Sequence, residues 1–183
     1  AQLVRVDREG KAPSTPPPAG ELASAAAMAL DALLAAVRDF DPERIQQEVS
    51  RALFVGSAQE VFEGVFAPAL RQIGDLWHQG QLSVAQEHLA SGYILGVVGS
   101  LVRLVQPSDA RWRLVLASVE DEEHAIGLHG VAIQMAGWGI QSTILGGRTP
   151  PQAIADAIEH LNPDAVGLSI TMGRSPAAAV AML

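Results

Sequence analysis

From Glu21 to about Val105 the apolar residues recur at i, i+3 and i+4 spacing, which predicts helix throughout. The first stretch, ELASAAAMALDALLAAVRDF, is rich in Ala and Leu and has no internal Gly or Pro. Asp41-Pro42 opens a second helix, with Asp as N-cap and Pro at the first helical position. Ser57-Ala-Gln-Glu60 is a capping box for a third. Pro68 has no N–H to donate, so it predicts a break or kink and a fresh helix from about Pro68 to Trp77, closed by Gly80. A second capping box, Ser83-Val-Ala-Gln86, opens a helix that runs to about Val105. The connections are short, so neighbouring helices are expected to run antiparallel as a bundle.

After Pro107 the period changes. Trp112–Ser118, Gln141–Leu145 and Ala165–Ile170 read as short strands, separated by amphipathic helices at about 126–137 and 150–161. Alternating strands and helices predict right-handed crossovers and a parallel, Rossmann-like α/β sheet. Ligands of such sheets sit beyond the carboxyl ends of the strands, which selects the loops 119–127, 146–149 and 171–175. The expected organisation is a linker over 1–20, a helical bundle over 21–107 and a Rossmann-like domain over 110–183. The linker, with three consecutive prolines, fits a frayed terminus or a spacer following an earlier segment. Three strands leave a sheet edge uncovered and a helix begins at Ser175–Leu183, so further chain is expected beyond Leu183.

Composition narrows the chemistry. The 183 residues contain no cysteine, which removes disulfides, thiolate metal sites and cysteine nucleophiles together. A net charge of −8 repels phosphate backbones, so contact with DNA is expected only through another segment or a partner repressor. No apolar run of roughly 18 residues lacks a Gly, Pro or charged interruption, and no basic-then-apolar leader opens the chain. A soluble, cytoplasmic protein is expected.

Two constellations carry candidate chemistry. The first ligand loop, Val119-Glu-Asp-Glu-Glu-His124-Ala-Ile-Gly127, sets four acids beside a histidine at a strand's carboxyl end. Carboxylates beside imidazole raise its basicity and fix its tautomer for metal ligation; a solvated acidic turn is the other reading. In the helical region, Trp77-His78 is followed by Glu87-His88. An aromatic plate beside an acid and a histidine suits an adenosyl group, while a core Trp with a helix-N-terminal Glu answering the dipole explains the same residues. Gly146-Gly147 permits close backbone approach, either to a ligand or in a tight turn. His129 and His160 read as ordinary, His129 facing solvent and His160 at a helix end.

Glu122-x-His124-x-x-Gly127, followed after 41 residues by Ser169-x-Thr171, resembles the cobalamin-binding signature of methionine synthase and related corrinoid proteins. The resemblance implies His124 as lower cobalt ligand and Glu122 as the partner that holds its ring. It also implies Gly127 for passage of the nucleotide tail and Ser169 in the pocket of the displaced base. Glu122 stands where Asp is usual and Thr171 where Leu is usual, lengthening one arm and making the tail pocket more polar.

With PALRQIGDLWHQGQLSVAQEHLAS, residues 22–183 are similar to the light-sensing cobalamin domain of CarH-type transcriptional regulators. That similarity implies a helical cap over the cofactor's upper face, in which Trp77, Glu87 and His88 enclose an adenosyl group with Val84 beside it. It implies His78 as the upper cobalt ligand once light has removed the adenosyl. The implied function is a non-catalytic adenosylcobalamin photoreceptor that switches conformation or oligomeric state. A corrinoid methyl carrier of a methyltransferase system is the alternative, and a cofactor-free interaction module is a third reading.

Overall fold

The structure is a computed structural model that describes residues 19–119 and 125–169. The acidic residues 120–124, the expected linker up to residue 18 and the segment from 170 onward therefore lie outside the described residues. The helices are α1 (Ala19–Arg38), α2 (Pro42–Ala52), α3 (Ala58–Val61), α4 (Ala67–His78) and α5 (Val84–Val105). Then follow β1 (Trp112–Val119), α6 (Ile126–Gly137), β2 (Ile140–Thr149), α7 (Pro151–Leu161) and β3 (Ala165–Ser169). The strands are all parallel, in the order β2-β1-β3, as the alternation requires.

Local signals set most boundaries. The Asp41 side chain accepts from the Arg44 N–H and both capping boxes form, each satisfying helix-end donors that would otherwise be orphaned. In the first box the Ser57 N–H and hydroxyl hold the Glu60 carboxyl below its ordinary range. Helix α1 starts at Ala19, two residues inside the expected linker.

Two expectations are corrected. Pro68 does not break the chain: one π-helical turn, Phe62–Phe66, joins α3 to α4 without interruption. Its last bond runs from the Ala67 N–H to the Phe62 carbonyl, so the helix widens just before the residue that cannot donate. Residues 146–149 are not a loop. Strand β2 continues through them by slipping register, so that Ala117 faces Gly146 and Val119 faces Thr149. Each slip admits an extra residue, the first where Gly146 adopts φ +105°, a conformation that glycine takes without a Cβ clash.

One core runs through both halves. Leu33, Val37, Ile45, Phe66, Ile73 and Ile94 from the bundle join Leu116 of β1 and Leu128 and Ile133 of α6. Two helices, Gly20–Arg38 and Val84–Val105, are long and apolar enough to cross a membrane by length and composition; each sends one face into this core. At the seam the Phe62 ring lies on Gly130, where a Cβ would stand 2.2 Å from Cε1. Beside it Gln134 Nε2 donates to Glu63 Oε1 at 2.8 Å.

Gly130→Ala gains helix propensity of about 1 kcal/mol but forces the Phe62 ring aside, at a cost of roughly 1–3 kcal/mol. The expected result is a lower melting temperature, with Phe62→Leu in the same chain recovering part of the loss. Additive effects of the two changes in a double-mutant cycle would show that the ring does not bear on Gly130.

Candidate functional site

The end of α4 and the start of α5 are locked to one another. Gly80, at φ +71°, donates to the Trp77 carbonyl and Gln81 to the Leu76 carbonyl, closing α4 in a Schellman turn. Three residues later Ser83 caps α5, and Gln86 Nε2 ties that end to the Val37 carbonyl of α1 at 2.9 Å. Trp77 and His78 are thereby held facing Glu87.

These residues line a cavity of ≈ 320 Å3. Leu70, Gly74, Trp77 and His78 come from α4, and Glu87, Ser91 and Leu95 from α5. The floor is Ala125 and Ile126, the residues that directly follow His124. Cap and sheet domain thus meet at the upper-face residues implied by the sequence. Trp77 is 40% exposed and carries His78 edge-on at 4.6 Å between ring centroids. The Nδ1–H of His78 donates to the Gly74 carbonyl at 2.8 Å, leaving Nε2 as the ring's remaining polar atom. Glu87 accepts from the Ser91 hydroxyl at 2.7 Å and from Nδ1 of His88, so its carboxylate is held from two sides.

Not every expected residue enters the cavity. His88 stands at the rim, exposed, and reaches the site only through Glu87. Val84 is half exposed one turn before it and does not line the cavity. Gly127 is exposed on the first turn of α6, and an added Cβ there would meet nothing within 4 Å. Ser169 ends β3 half-buried, in register with Ser118 of the central strand. Gly146 lines a different cavity, and so does His129, which is half-buried rather than facing solvent and donates its Nδ1–H to the Ala125 carbonyl. Glu122, His124 and Thr171 lie outside the described residues. Sequence reasoning missed Gly74, Ser91 and Leu70. Their spacing of four from His78, Glu87 and Gly74 placed them on the same helix faces.

The arrangement offers a bound group an apolar wall, a held carboxylate and one ring nitrogen. Gly74 lines the wall, and a Cβ there would project into open space. Among the described residues no group of three or more His, Asp or Glu could hold a bare metal ion. A metal that arrives inside a macrocycle needs only axial ligands from the protein.

Comparison with known proteins agrees. Two family models, each described as a B12 binding domain, match residues 29–101 and 112–181. The chain is 35% identical over 145 residues to the HTH-type transcriptional repressor CarH of Myxococcus xanthus, covering 79% of this chain and 48% of that protein. It is 33% identical over 135 residues to the HTH-type transcriptional repressor CarA of the same organism, covering 70% and 44%. The chain therefore spans about half the length of these curated relatives. The Methanosarcina barkeri monomethylamine corrinoid protein shares the fold, with a TM-score of 0.59 at 16% identity over 79% of this chain and 71% of that one. The helical region and the parallel sheet together form a corrinoid-binding unit.

Gly74→Leu should leave the melting temperature unchanged or raised, since Leu is the better helix former and its side chain meets no neighbour at the Cβ. Affinity for adenosylcobalamin should fall at least about tenfold, a loss of roughly 1.4 kcal/mol. Unchanged affinity in a spectroscopic titration would mean that the upper substituent does not enter this cavity.

Proposed function

We propose that this chain, which belongs to the CarH-type family of B12-binding-domain proteins, is the adenosylcobalamin-binding light-sensor domain of a transcriptional regulator. The observation that carries the reading is the single cavity in which Trp77, His78 and Glu87 of the cap meet Ala125 and Ile126, next to His124. When bound, the corrinoid supplies a cobalt–carbon bond that visible light breaks. The chain's residues do the rest.

His124 would ligate the cobalt, and Glu122 would be the carboxylate partner of its imidazole. Gly127 would give the nucleotide tail a path, Ser169 would line the pocket of the displaced base with Thr171 making it more polar, and Gly146 would border the corrin. Above it, Trp77 offers an apolar plate. Glu87, held by Ser91 and His88, accepts from the adenosyl hydroxyls or amine. Val84 flanks the group. His78 keeps Nε2 free for cobalt because Nδ1 is engaged by the Gly74 carbonyl.

The space between α4, α5 and the head of α6 would hold an upper substituent of the bound corrinoid and would open once that substituent had left. The cap then has two arrangements against the sheet, and the occupant decides between them. That shift changes the contacts between copies of the chain and so its oligomeric state. Contact with DNA lies in another segment or a partner, in keeping with the net charge of −8. The reading places the protein in the cytoplasm as a sensor rather than a catalyst.

Adenosylcobalamin mixed with the protein in the dark should give a bound spectrum that changes irreversibly on illumination, together with the elution volume. A preference for methylcobalamin, a reducible exposed cobalt and no light-dependent elution change would favour a corrinoid methyl carrier instead. His124→Ala should weaken dark binding at least about 100-fold, since a coordinate bond and its oriented partner are lost together; unchanged affinity removes the lower-ligand assignment. His78→Ala should bind the dark cofactor normally and give a different lit spectrum. Identical lit spectra would exclude His78 as a ligand.

A further inference from the structure

Two helices of the cap open with the same device and differ at one residue. In α3 the third helical residue is Glu60, whose carboxylate accepts from the Ser57 N–H at 2.7 Å. In α5 that place is taken by Gln86, whose Oε1 accepts from the Ser83 N–H at 2.9 Å. A carboxylate would fill the same acceptor role and would answer the positive end of the helix dipole as well. What the amide adds is a donor. Nε2 of Gln86 crosses to the end of α1 and donates to the Val37 carbonyl at 2.9 Å, with the Arg38 carbonyl at 3.3 Å. Both carbonyls lie in the last turn of α1, where intrahelical partners have run out.

The tie falls where α5 has least else to hold it. The first fully buried side chain of α5 is Ala90; Val84, Ala85 and His88 are exposed, and Gln86, Glu87 and Leu89 are half-buried. Successive residues of a helix point about 100° apart, so Gln86 reaches α1 on one side while Glu87 faces Trp77 and His78 on another. A side-chain tip stands roughly 5–6 Å from the helix axis, so a roll of about 10° carries the Glu87 carboxylate about 1 Å. The Ser91 hydroxyl that steadies this carboxylate is on the same helix and turns with it. A bond within α5 therefore cannot fix the aim of Glu87. A bond to another helix can.

We propose that Gln86 is a positioning residue for the cavity beside Trp77. Its donation to the end of α1 sets the roll of the first turns of α5, hence the place of the Glu87 carboxylate, hence the affinity for an adenosyl upper substituent. Gln86 itself does not line the cavity. The inference rests on the reading of Trp77, His78 and Glu87 as the wall that meets the adenosyl group.

Gln86→Glu separates the two jobs of this side chain. The acceptor for the Ser83 N–H stays, while the donor to α1 becomes a carboxylate facing carbonyl oxygens. In the cofactor-free chain, hydrogen exchange at the Glu87, His88 and Leu89 amides should quicken, with exchange beyond Ala90 unchanged. In dark titrations the affinity for adenosylcobalamin should fall at least about tenfold, and that for hydroxocobalamin, which lacks the adenosyl group, by less than about twofold. Ser57→Ala is the stability control: it removes the hydroxyl cap of α3, so it should lower the melting temperature and leave the ratio of the two affinities as it was. Glu87→Gln tests the wall itself. If Glu87→Gln leaves the ratio unchanged, the adenosyl-facing wall fails and the role of Gln86 with it. If Glu87→Gln changes the ratio and Gln86→Glu does not, the role of Gln86 alone is overturned. Equal losses for both cobalamins in Gln86→Glu, or unchanged exchange at the three amides, overturn it as well.

Discussion

The aromatic ring of Phe62 rests against the backbone of α6 at Gly130, with no space for a side chain between them. This contact sets how closely the helical cap sits on the sheet domain. The Glu63–Gln134 hydrogen bond fixes the sliding direction along α6, and Gln59 holds the Glu63 carboxylate at 3.0 Å from within the cap. Without that seat, α4 and α5 would still pair with each other, but Trp77 and Glu87 would have no defined height above Ala125. A continuous apolar core extends the contact from Phe66 and Ile94 to Leu116 and Leu128, so cap and sheet share their stabilising burial.

The site itself is made of helix ends. A Schellman turn finishes α4, a capping box starts α5, and only five residues separate the two helices. Helix ends are where side chains leave the regular hydrogen-bond ladder and can answer a ligand. His78 illustrates the point: in the last turn of α4 its Nδ1 satisfies a backbone carbonyl, and the same bond selects which ring nitrogen stays available. Glu87, in the first turn of α5, is steadied by the Ser91 hydroxyl one turn later.

Much of this was legible before any coordinates. Caps are local chemistry, so Asp41, Ser57 and Ser83 announced their helices, and strand–helix alternation announced the parallel sheet. Trp77, His78 and Glu87 stood out because a tight turn brings neighbours together. What sequence could not supply were effects of the surroundings. Pro68 signals a lost donor but not whether the helix ends or widens, and packing against α1, where a Cβ added at Gly64 would stand 3.1 Å from that of Ala26, favours continuation. Gly146 reads equally as a tight turn or a point of close backbone approach; pairing with β1 makes it part of a slipped strand. The tie from Gln86 to Val37 joins residues 49 apart, and no local motif announces it.

The wide turn at Phe62–Phe66 acts as an index mark for everything downstream on α4. A π turn accommodates one residue more than an α turn over the same rise, so residues after it are rotated by about 100° relative to an uninterrupted helix. Phe62 lies at the start of that turn, while Trp77 and His78 lie three turns beyond it. The aromatic plate faces the sheet domain only because the offset is present. Deleting a single residue there would preserve the helix, yet swing that face around toward solvent.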